Sequence, residues 1–351
     1  MVCIWRLESV VGSLFHVIEV KMMKIGRKLA VVACAAFLAL APAALADVTD
    51  LQVAELTPEV EKAIQGGLDW LIKNQAANGS WGTQYKTAST AVGLMAFMVK
   101  GHFPDRPPYG DNLARAVAFL VSQASPEEGY MGSSMYEHGL ATLALSEVWG
   151  MTGKTEVGDT LKNAVTVILR SQNPAGGWRY NPTPTDADLS VTVMQIMALA
   201  SAKEAGIMVP DSTMQKAVGY VLSCRVAANG GFGYQPGGEA GFERSAAGIM
   251  SLMMSGQRDN PAVQGGLDYL LKQTGVFTDS AQYFYGHYYG VQCMYQAGDK
   301  YYQEWYPRIR DALLKRQVAD GHWEDGPQGI GTPMAILILG VPYRFLPIYQ
   351  R

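Results

Sequence analysis

The feature that most constrains the fold is a unit that recurs along the chain roughly every 50 residues. In each copy, a helix with apolar periodicity is followed by a Gln position, a Gly-rich turn with an aromatic residue, and a second, more apolar helix. The clearest copy has Gln172, Gly176, Gly177 and Trp178 before the apolar run 191–202. The six Gln positions are predicted at Gln75, Gln123, Gln172, Val226, Gln273 and Gln317. This period fits two helices of about 12 to 16 residues with two loops, and so predicts helical hairpins.

The end of the chain indicates how the hairpins are arranged. Residues 336–349 are almost entirely apolar and aromatic, and an open stack of repeats would leave them as an exposed patch. Closing the six units into a ring covers this segment with the first unit. Strand signals are nearly absent, so the predicted fold is all-α, an (α/α)6 toroid with one set of helices inside and the other outside.

The N-terminal segment has the three parts of a secretory signal peptide. Residues 23–28 are basic, residues 29–40 are apolar, and Ala44, Leu45 and Ala46 form a cleavage site before Asp47. The apolar run is too short to predict a membrane span. The predicted organisation is therefore an upstream extension at 1–22, a signal peptide at 23–46, and one toroid domain at 47–351, exported to the periplasm or the extracellular space.

Charge and cysteine usage exclude several function classes. Lys plus Arg (28) nearly balance Asp plus Glu (31), with a net charge of -3 and no basic block, so nucleic-acid binding is not expected. The mature chain keeps Cys224 and Cys293, which are interpreted as buried free thiols, although export permits a disulfide between them. No Cys/His cluster has zinc spacing, and no metal or cofactor is predicted.

Two carboxylates at the start of the third inner helix are the first candidate site. On a helix that begins near Asp188, the residues Asp188, Thr192 and Gln195 share one face, which could line a central cavity, with Asp186 just before it. Two interpretations stay open. Either the carboxylates cap the helix, as Asp does at helix starts, or Asp188 is an acid that faces the cavity.

Two other inner helices carry candidate residues. His138 could bond a carboxylate across the cavity and tune its pKa, or be a structural histidine with satisfied nitrogens. The fifth inner helix has aromatic residues all around it, which either line a ligand pocket or pack against neighbouring helices. Its candidate ligand residues are Tyr283, Tyr285, His287, Tyr288 and Tyr289.

The Gln, Gly and aromatic pattern over residues 60–351 resembles the QW repeat of squalene-hopene and oxidosqualene cyclases. Protein prenyltransferase β-subunits and squalene oxidase repeat proteins share the same α/α toroid. Cyclases of this type protonate an alkene with an Asp-x-Asp-Asp motif, in which Asp188 here matches the middle acid and Asp186 the first, while Leu189 replaces the third. The resemblance implies an isoprenoid-type ligand in a central cavity, membrane-surface contact, and acid-initiated cyclisation or isomerisation by Asp188 with support from Asp186 and His138.

Two other functions remain open. A non-catalytic scaffold or binding protein of the cell envelope is favoured by the missing third acid, the predicted export, and a length about half that of a full cyclase. A carbohydrate-active toroid is the other, because paired carboxylates and aromatic residues on an (α/α)6 ring also suit sugars. A closed apolar pocket reaching Asp188 favours the isoprenoid enzyme, a filled centre favours the scaffold, and an open polar groove favours the carbohydrate protein.

Overall fold

A computed structural model describes residues 56–325 and 329–349, so the predicted extension and signal peptide lie outside the described residues. In these ranges the chain forms twelve α-helices and no β-strand, which confirms the all-α prediction. The helices are α1 Pro58–Lys73, α2 Lys86–Met98, α3 Gly110–Ser122, α4 Met135–Thr152, α5 Thr155–Ser171, α6 Leu189–Glu204, α7 Asp211–Ser223, α8 Phe242–Met254, α9 Pro261–Leu271, α10 Tyr283–Ala297, α11 Asp299–Arg316 and α12 Gly331–Leu339. Each odd-numbered helix and the even-numbered helix after it make one unit, numbered one to six.

The odd-numbered helices form the outer layer because each has only one apolar face. In α1 the buried residues Ile64, Leu68 and Leu71 recur at helical spacing, while Glu59 and Lys73 stay exposed. The even-numbered helices are buried on almost every side. In α6 every residue from 191 to 202 is buried, as expected for a helix enclosed by others. No helix of the described ranges is both long and apolar enough to span a bilayer.

The six inner helices form a closed ring. Each inner helix packs against the next, and α12 returns to pack against α2. On the outside, the Nε2 atom of Gln317 donates a hydrogen bond of 2.8 Å to the carbonyl of Ala63, and Trp70 stacks on His322 with 5.0 Å between ring centroids. The C-terminal segment also packs on the first unit, since α12 contacts both α1 and α2 and the hydroxyl of Tyr343 donates to Glu61 Oε1 at 2.6 Å. The predicted toroid of six hairpins is confirmed.

Glycine is required in the turn that connects the outer and inner helices of a unit, hereafter the connecting turn. Gly79 and Gly176 have φ values of 89° and 99°, which L side chains rarely adopt. A Cβ on Gly176 would lie only 2.1 Å from the carbonyl oxygen of Lys216, and one on Gly79 would lie 2.3 Å from that of Arg115. Each turn thus packs directly on the main chain of the next outer helix.

Candidate functional site

The connecting turn of the third unit explains the role of Thr192. The main-chain N–H of Trp178 donates to Thr192 Oγ1 at 3.1 Å, and the indole Nε1 donates to the carbonyl of Ile168 at 2.8 Å. Gln172 Nε2 donates to Gly176 of its own turn and to Thr213 in the next unit, both at 2.9 Å. Thr192 is fully buried, and its hydroxyl is used in a structural hydrogen bond to the turn. The same Trp bonds occur in units one and six, to Thr90 and Leu71 and to Thr332 and Leu313.

Two of the predicted Gln positions are wrong by one residue. Val226 N–H bonds the carbonyl of Gly231 just as Asn173 N–H bonds that of Gly177, so Arg225 occupies the position of Gln172. In unit two the equivalent bond joins Ser125 N–H to the carbonyl of Tyr130, which places Ala124 rather than Gln123 there. The turns of these two units have one more residue than that of unit three. In unit two, moreover, Met131 rather than the predicted Tyr130 is the counterpart of Trp178, so this position shifts in the opposite direction.

Asp188 is the N-cap of α6 and has no exposed surface. Its Oδ1 accepts hydrogen bonds from Val191 N–H at 2.8 Å and from Ser190 Oγ at 2.6 Å. Its Oδ2 accepts a bond of 2.9 Å from Arg179 Nη1. Three donors, one of them a guanidinium, thus hold the carboxylate in the manner of a buried anion with its counter-ion.

Arg179 also connects Asp188 to the other predicted acid. Asp186 is 58% exposed, and its Oδ2 lies 3.5 Å from Arg179 Nε. The guanidinium carbon stands 4.7 Å from the ring centroid of Tyr180 and 5.5 Å from that of Tyr234, within the range of cation–π attraction. The structure therefore brings the two predicted acids together through an arginine that the sequence reasoning missed. The available signal was an arginine that directly follows the Trp of the same turn.

His138 is bonded to the main chain on both sides. Its Nδ1 accepts from Met131 N–H at 3.1 Å, and its Nε2 donates to the carbonyl of Ala164 at 3.0 Å. Burial lowers the pKa of His138 to about 4, so the ring is neutral at physiological pH. The predicted bond to a carboxylate across the cavity is not formed, because both ring nitrogens are already used by the backbone.

Two tyrosines of α10 reach across the interior of the ring. The hydroxyl of Tyr289 donates to the sulfur of Met194 at 3.0 Å, and that of Tyr285 donates to the carbonyl of Ser190 at 3.4 Å, although α8 separates their helix from α6. Gln195 donates to the carbonyl of Met135 at 2.8 Å. Tyr289, Thr192 and Gln195 have no exposed surface, so no water-sized space remains beside them and the interior is filled at this level.

The other predicted ligand residues of α10 also pack against protein. His287 is fully buried, its Nε2 bonds the carbonyl of Val276 at 3.0 Å, and burial lowers its pKa to about 4. Tyr283 lies 4.6 Å from the His287 ring and donates to the carbonyl of Phe277 at 3.2 Å. Tyr288 is buried edge-on against Tyr289. Tyr283 and His287 therefore hold the loop that connects α9 to α10.

The inner helices begin at one end of the ring, hereafter the mouth, and a polar cleft lies there between units one and two. We call it the Glu137 cleft. Its volume is about 330 Å³, and sequence reasoning missed it. A signal was available, because Ser134 and Glu137 have the spacing of a capping box, and Ser134 is indeed the N-cap of α4. The lining residues are Tyr85, Lys86, Thr87, Gln123, Gly132, Ser133 and Glu137.

The described residues provide no evident metal site. No group of three or more His, Cys, Asp and Glu side chains in these ranges could hold a metal ion. Cys224 and Cys293 are both buried and unpaired, as predicted.

Comparison with known families agrees with this architecture. The model of the prenyltransferase alpha-alpha toroid domain matches residues 105–288, more than half of the chain. The protein belongs to this family. No match is found among curated proteins.

Solved structures with a similar fold include two kinds of enzyme. A variant of the type II terpene cyclase MstE from Scytonema, in complex with geranylgeranyl dihydroxybenzoate, is 13% identical with a TM-score of 0.58, covering 82% of this chain and 98% of that chain. An inactive alpha-1,6-mannanase GH76A of Salegentibacter, in complex with alpha-1,6-mannotetrose, is 8% identical with a TM-score of 0.63, covering 82% of this chain and 100% of that chain. At these identities the likeness establishes the fold alone.

Proposed function

We propose that this toroid is an exported binding or scaffold protein of the cell envelope and that it does not use Asp188 as a catalytic acid. The single observation that carries the proposal is the environment of Asp188, a carboxylate without exposed surface that is bound by Arg179 and two other donors.

A proton donor must come within hydrogen-bonding reach of the atom that it protonates. Both oxygens of Asp188 are instead occupied by donors from the protein. The neighbouring Leu189, which stands where cyclases have a third acid, is fully buried and apolar. An alkene could approach Asp188 only if the mouth rearranged and the Arg179 bond broke, which would leave a buried charge without its partner.

The surface of the mouth is better suited to binding than the interior. Tyr85 is 52% exposed and Tyr180 is 40% exposed, and they precede α2 and α6. These two side chains are therefore available to a ligand that remains outside the ring, whereas Thr192, Gln195 and Tyr289 are enclosed.

An assay with a polyisoprenoid tests this proposal directly. Purified protein is incubated with squalene or geranylgeraniol, and the extract is analysed by gas chromatography with mass spectrometry. We expect no cyclised or isomerised product. A product made by the wild type but lost in folded Asp188→Asn would overturn the proposal.

Export is part of the same proposal, and it predicts a specific mature terminus. Intact mass spectrometry of the protein from its native envelope should give a chain that begins at Asp47. Full-length protein found only in the cytosolic fraction would contradict it.

A second candidate is acid-initiated cyclisation or isomerisation of an isoprenoid-type ligand. It is favoured by the fold shared with MstE, whose structure contains geranylgeranyl dihydroxybenzoate, and by the position of Asp188 at the start of an inner helix. In this proposal Asp188 donates the proton, Asp186 and His138 support it, and the tyrosines of α10 contact a ligand held in an opened interior. The polyisoprenoid assay decides between the two candidates.

A further inference from the structure

We propose that the Glu137 cleft is a binding site for a neutral oligosaccharide. This inference rests on the proposed binding function and names a ligand class for it. The cleft is separate from the Asp186 and Asp188 pair, since none of its lining residues bonds either acid.

The cleft contains a carboxylate that is fixed in position by its surroundings. Glu137 is only 3% exposed and lines the cleft. Its Oε2 accepts hydrogen bonds from Ser133 N–H at 2.7 Å and from Ser133 Oγ at 2.6 Å. Within the described ranges no donor bonds Oε1, and this oxygen keeps some surface accessible to solvent. One oxygen therefore orients the group and the other is available to a ligand.

The glycine before Ser133 is part of this arrangement. Gly132 has a φ of 78°, and a Cβ there would lie 2.6 Å from Glu137 Cβ and 3.0 Å from its Oε2. Any side chain at this position would push the carboxylate away from its observed place. The glycine thus allows the acid to lie directly against the turn.

The chemistry of the lining favours a neutral polyhydroxylated ligand. Lys86 and Glu137 balance in charge, and Gln123, Thr87 and Ser133 add amide and hydroxyl groups. Such a set offers both donors and acceptors, which matches sugar hydroxyls, and it offers little apolar surface for an isoprenoid chain. The volume of about 330 Å³ lies at the small end of the range for small-molecule sites.

Tyr85 supplies an aromatic wall at the edge of the cleft. It is half exposed, and its backbone is left-handed, with φ 37° and ψ 45°. Non-glycine residues in this conformation are uncommon and cluster at functional sites. A tyrosine face of this kind can pack against the C–H face of a sugar ring while the polar groups bond its hydroxyls.

Saturation-transfer NMR of the mature protein tests the inference. The probes are tetrasaccharides of glucose, mannose, galactose and N-acetylglucosamine. We expect at least one to bind, with Kd raised about tenfold or more in Glu137→Gln and in Tyr85→Ala. Gly132→Ala, which displaces the carboxylate, should weaken binding similarly. Phe345→Ala, which removes an exposed aromatic residue that does not line the cleft, should bind like the wild type.

The inference is overturned if no tetrasaccharide binds, or if the three cleft variants bind as the wild type does while circular dichroism shows them folded. This failure would leave the non-catalytic proposal intact, because that proposal depends on the polyisoprenoid assay. Conversely, a polyisoprenoid product that depends on Asp188 would contradict the proposed function, but it would not contradict sugar binding by the cleft.

Discussion

The second and third units close the same connecting turn with different side chains. In the third unit, Thr192 accepts the N–H of Trp178 and the indole donates to the preceding outer helix. In the second unit, His138 accepts the N–H of Met131 and donates to the following outer helix at Ala164. A single imidazole therefore accepts the N–H of its turn and also bonds the next outer helix. The third unit uses a threonine to accept the N–H and a tryptophan to bond its own outer helix.

This difference shows that main-chain groups nearby can use all the hydrogen-bonding atoms of a polar side chain near the start of an inner helix. His138, Thr192 and Asp188 would all appear to face a cavity if only helical spacing were considered. Each is instead bonded to a main-chain group of a turn or helix end. The comparison predicts that these side chains contribute to stability, in proportion to the contacts that each one makes.

The largest effect is expected for Trp178→Ala. This change removes a fully buried indole and its bond to Ile168, and large-to-small changes of this kind cost about 3–5 kcal/mol. The free energy of unfolding in urea measures it. Tyr180→Ala, at a 40% exposed neighbour, is the matched control and should cost about 1 kcal/mol or less. Equal losses in the two variants would contradict the structural role of the turn.

His138→Ala should be the next most damaging change. It leaves the N–H of Met131 and the carbonyl of Ala164 without partners, which should cost about 2–3 kcal/mol in total, at the low end of the range for two unpaired buried groups. His322→Ala, at a partly exposed ring, provides the comparison in urea unfolding. If His138→Ala were as stable as His322→Ala, the second unit would not depend on its imidazole.

The pH dependence of stability distinguishes His138 from a buried acid in the same helix. Burial lowers the pKa of His138 to about 4, so its contribution is complete above pH 6.5 and is lost as the pH falls towards 4. Burial raises the pKa of Glu147 to about 7 against the bond from Ser201, so its contribution is complete below pH 4.5 and is lost as the pH rises through 7.

Each of these two groups should account for a change on the order of 1–3 kcal/mol. The two effects have opposite signs between pH 5 and pH 7.5, so the free energy of unfolding of the wild type in urea should change little over this range. Glu147→Gln removes the loss that Glu147 causes, so the free energy of unfolding of this variant should rise from pH 5 to pH 7.5. A wild-type and Glu147→Gln pair with parallel pH profiles would show that Glu147 is not neutral in the folded state.

Among the buried polar side chains at the helix starts, the smallest effect should come from Thr192. Thr192→Val removes the acceptor for Trp178 N–H at nearly constant shape and should cost about 1–2 kcal/mol. Thr192→Ser should be close to neutral, because Ser245 already accepts the corresponding N–H of Phe232 at 2.9 Å in the fourth unit. Thermal unfolding of the two variants measures the difference, and a serine variant as unstable as the valine variant would contradict the shared geometry.

The architecture was predictable from the sequence because it depends on repeated patterns. Helical periodicity, turn glycines and the apolar ending at 336–349 together predicted six hairpins in a closed ring. The register of individual turns was less predictable. Arg225 lies where Val226 was expected because that turn is one residue longer, and Ala124 lies where Gln123 was expected because Met131 rather than Tyr130 is the counterpart of Trp178.

The candidate site was predictable only in part. Asp186 and Asp188 were correctly expected near a helix start, but their partner Arg179 approaches because residues 178 and 188 pair across a loop. Helical spacing alone could not place the side chains of α10 against α6, because those contacts cross the ring. The pattern of residues on a helix face does not show which polar side chains will form hydrogen bonds with a neighbouring turn.

The most direct test of the central claim compares the two acids. Asp188 has no exposed surface and Asp186 is 58% exposed, yet both are near Arg179. The free energy of unfolding should fall by about 2–4 kcal/mol in Asp188→Asn, because a buried ion pair and a helix cap are weakened. In Asp186→Asn it should change by about 0.5 kcal/mol or less. If Asp188→Asn is as stable as the wild type, Asp188 is not the structural anion described above.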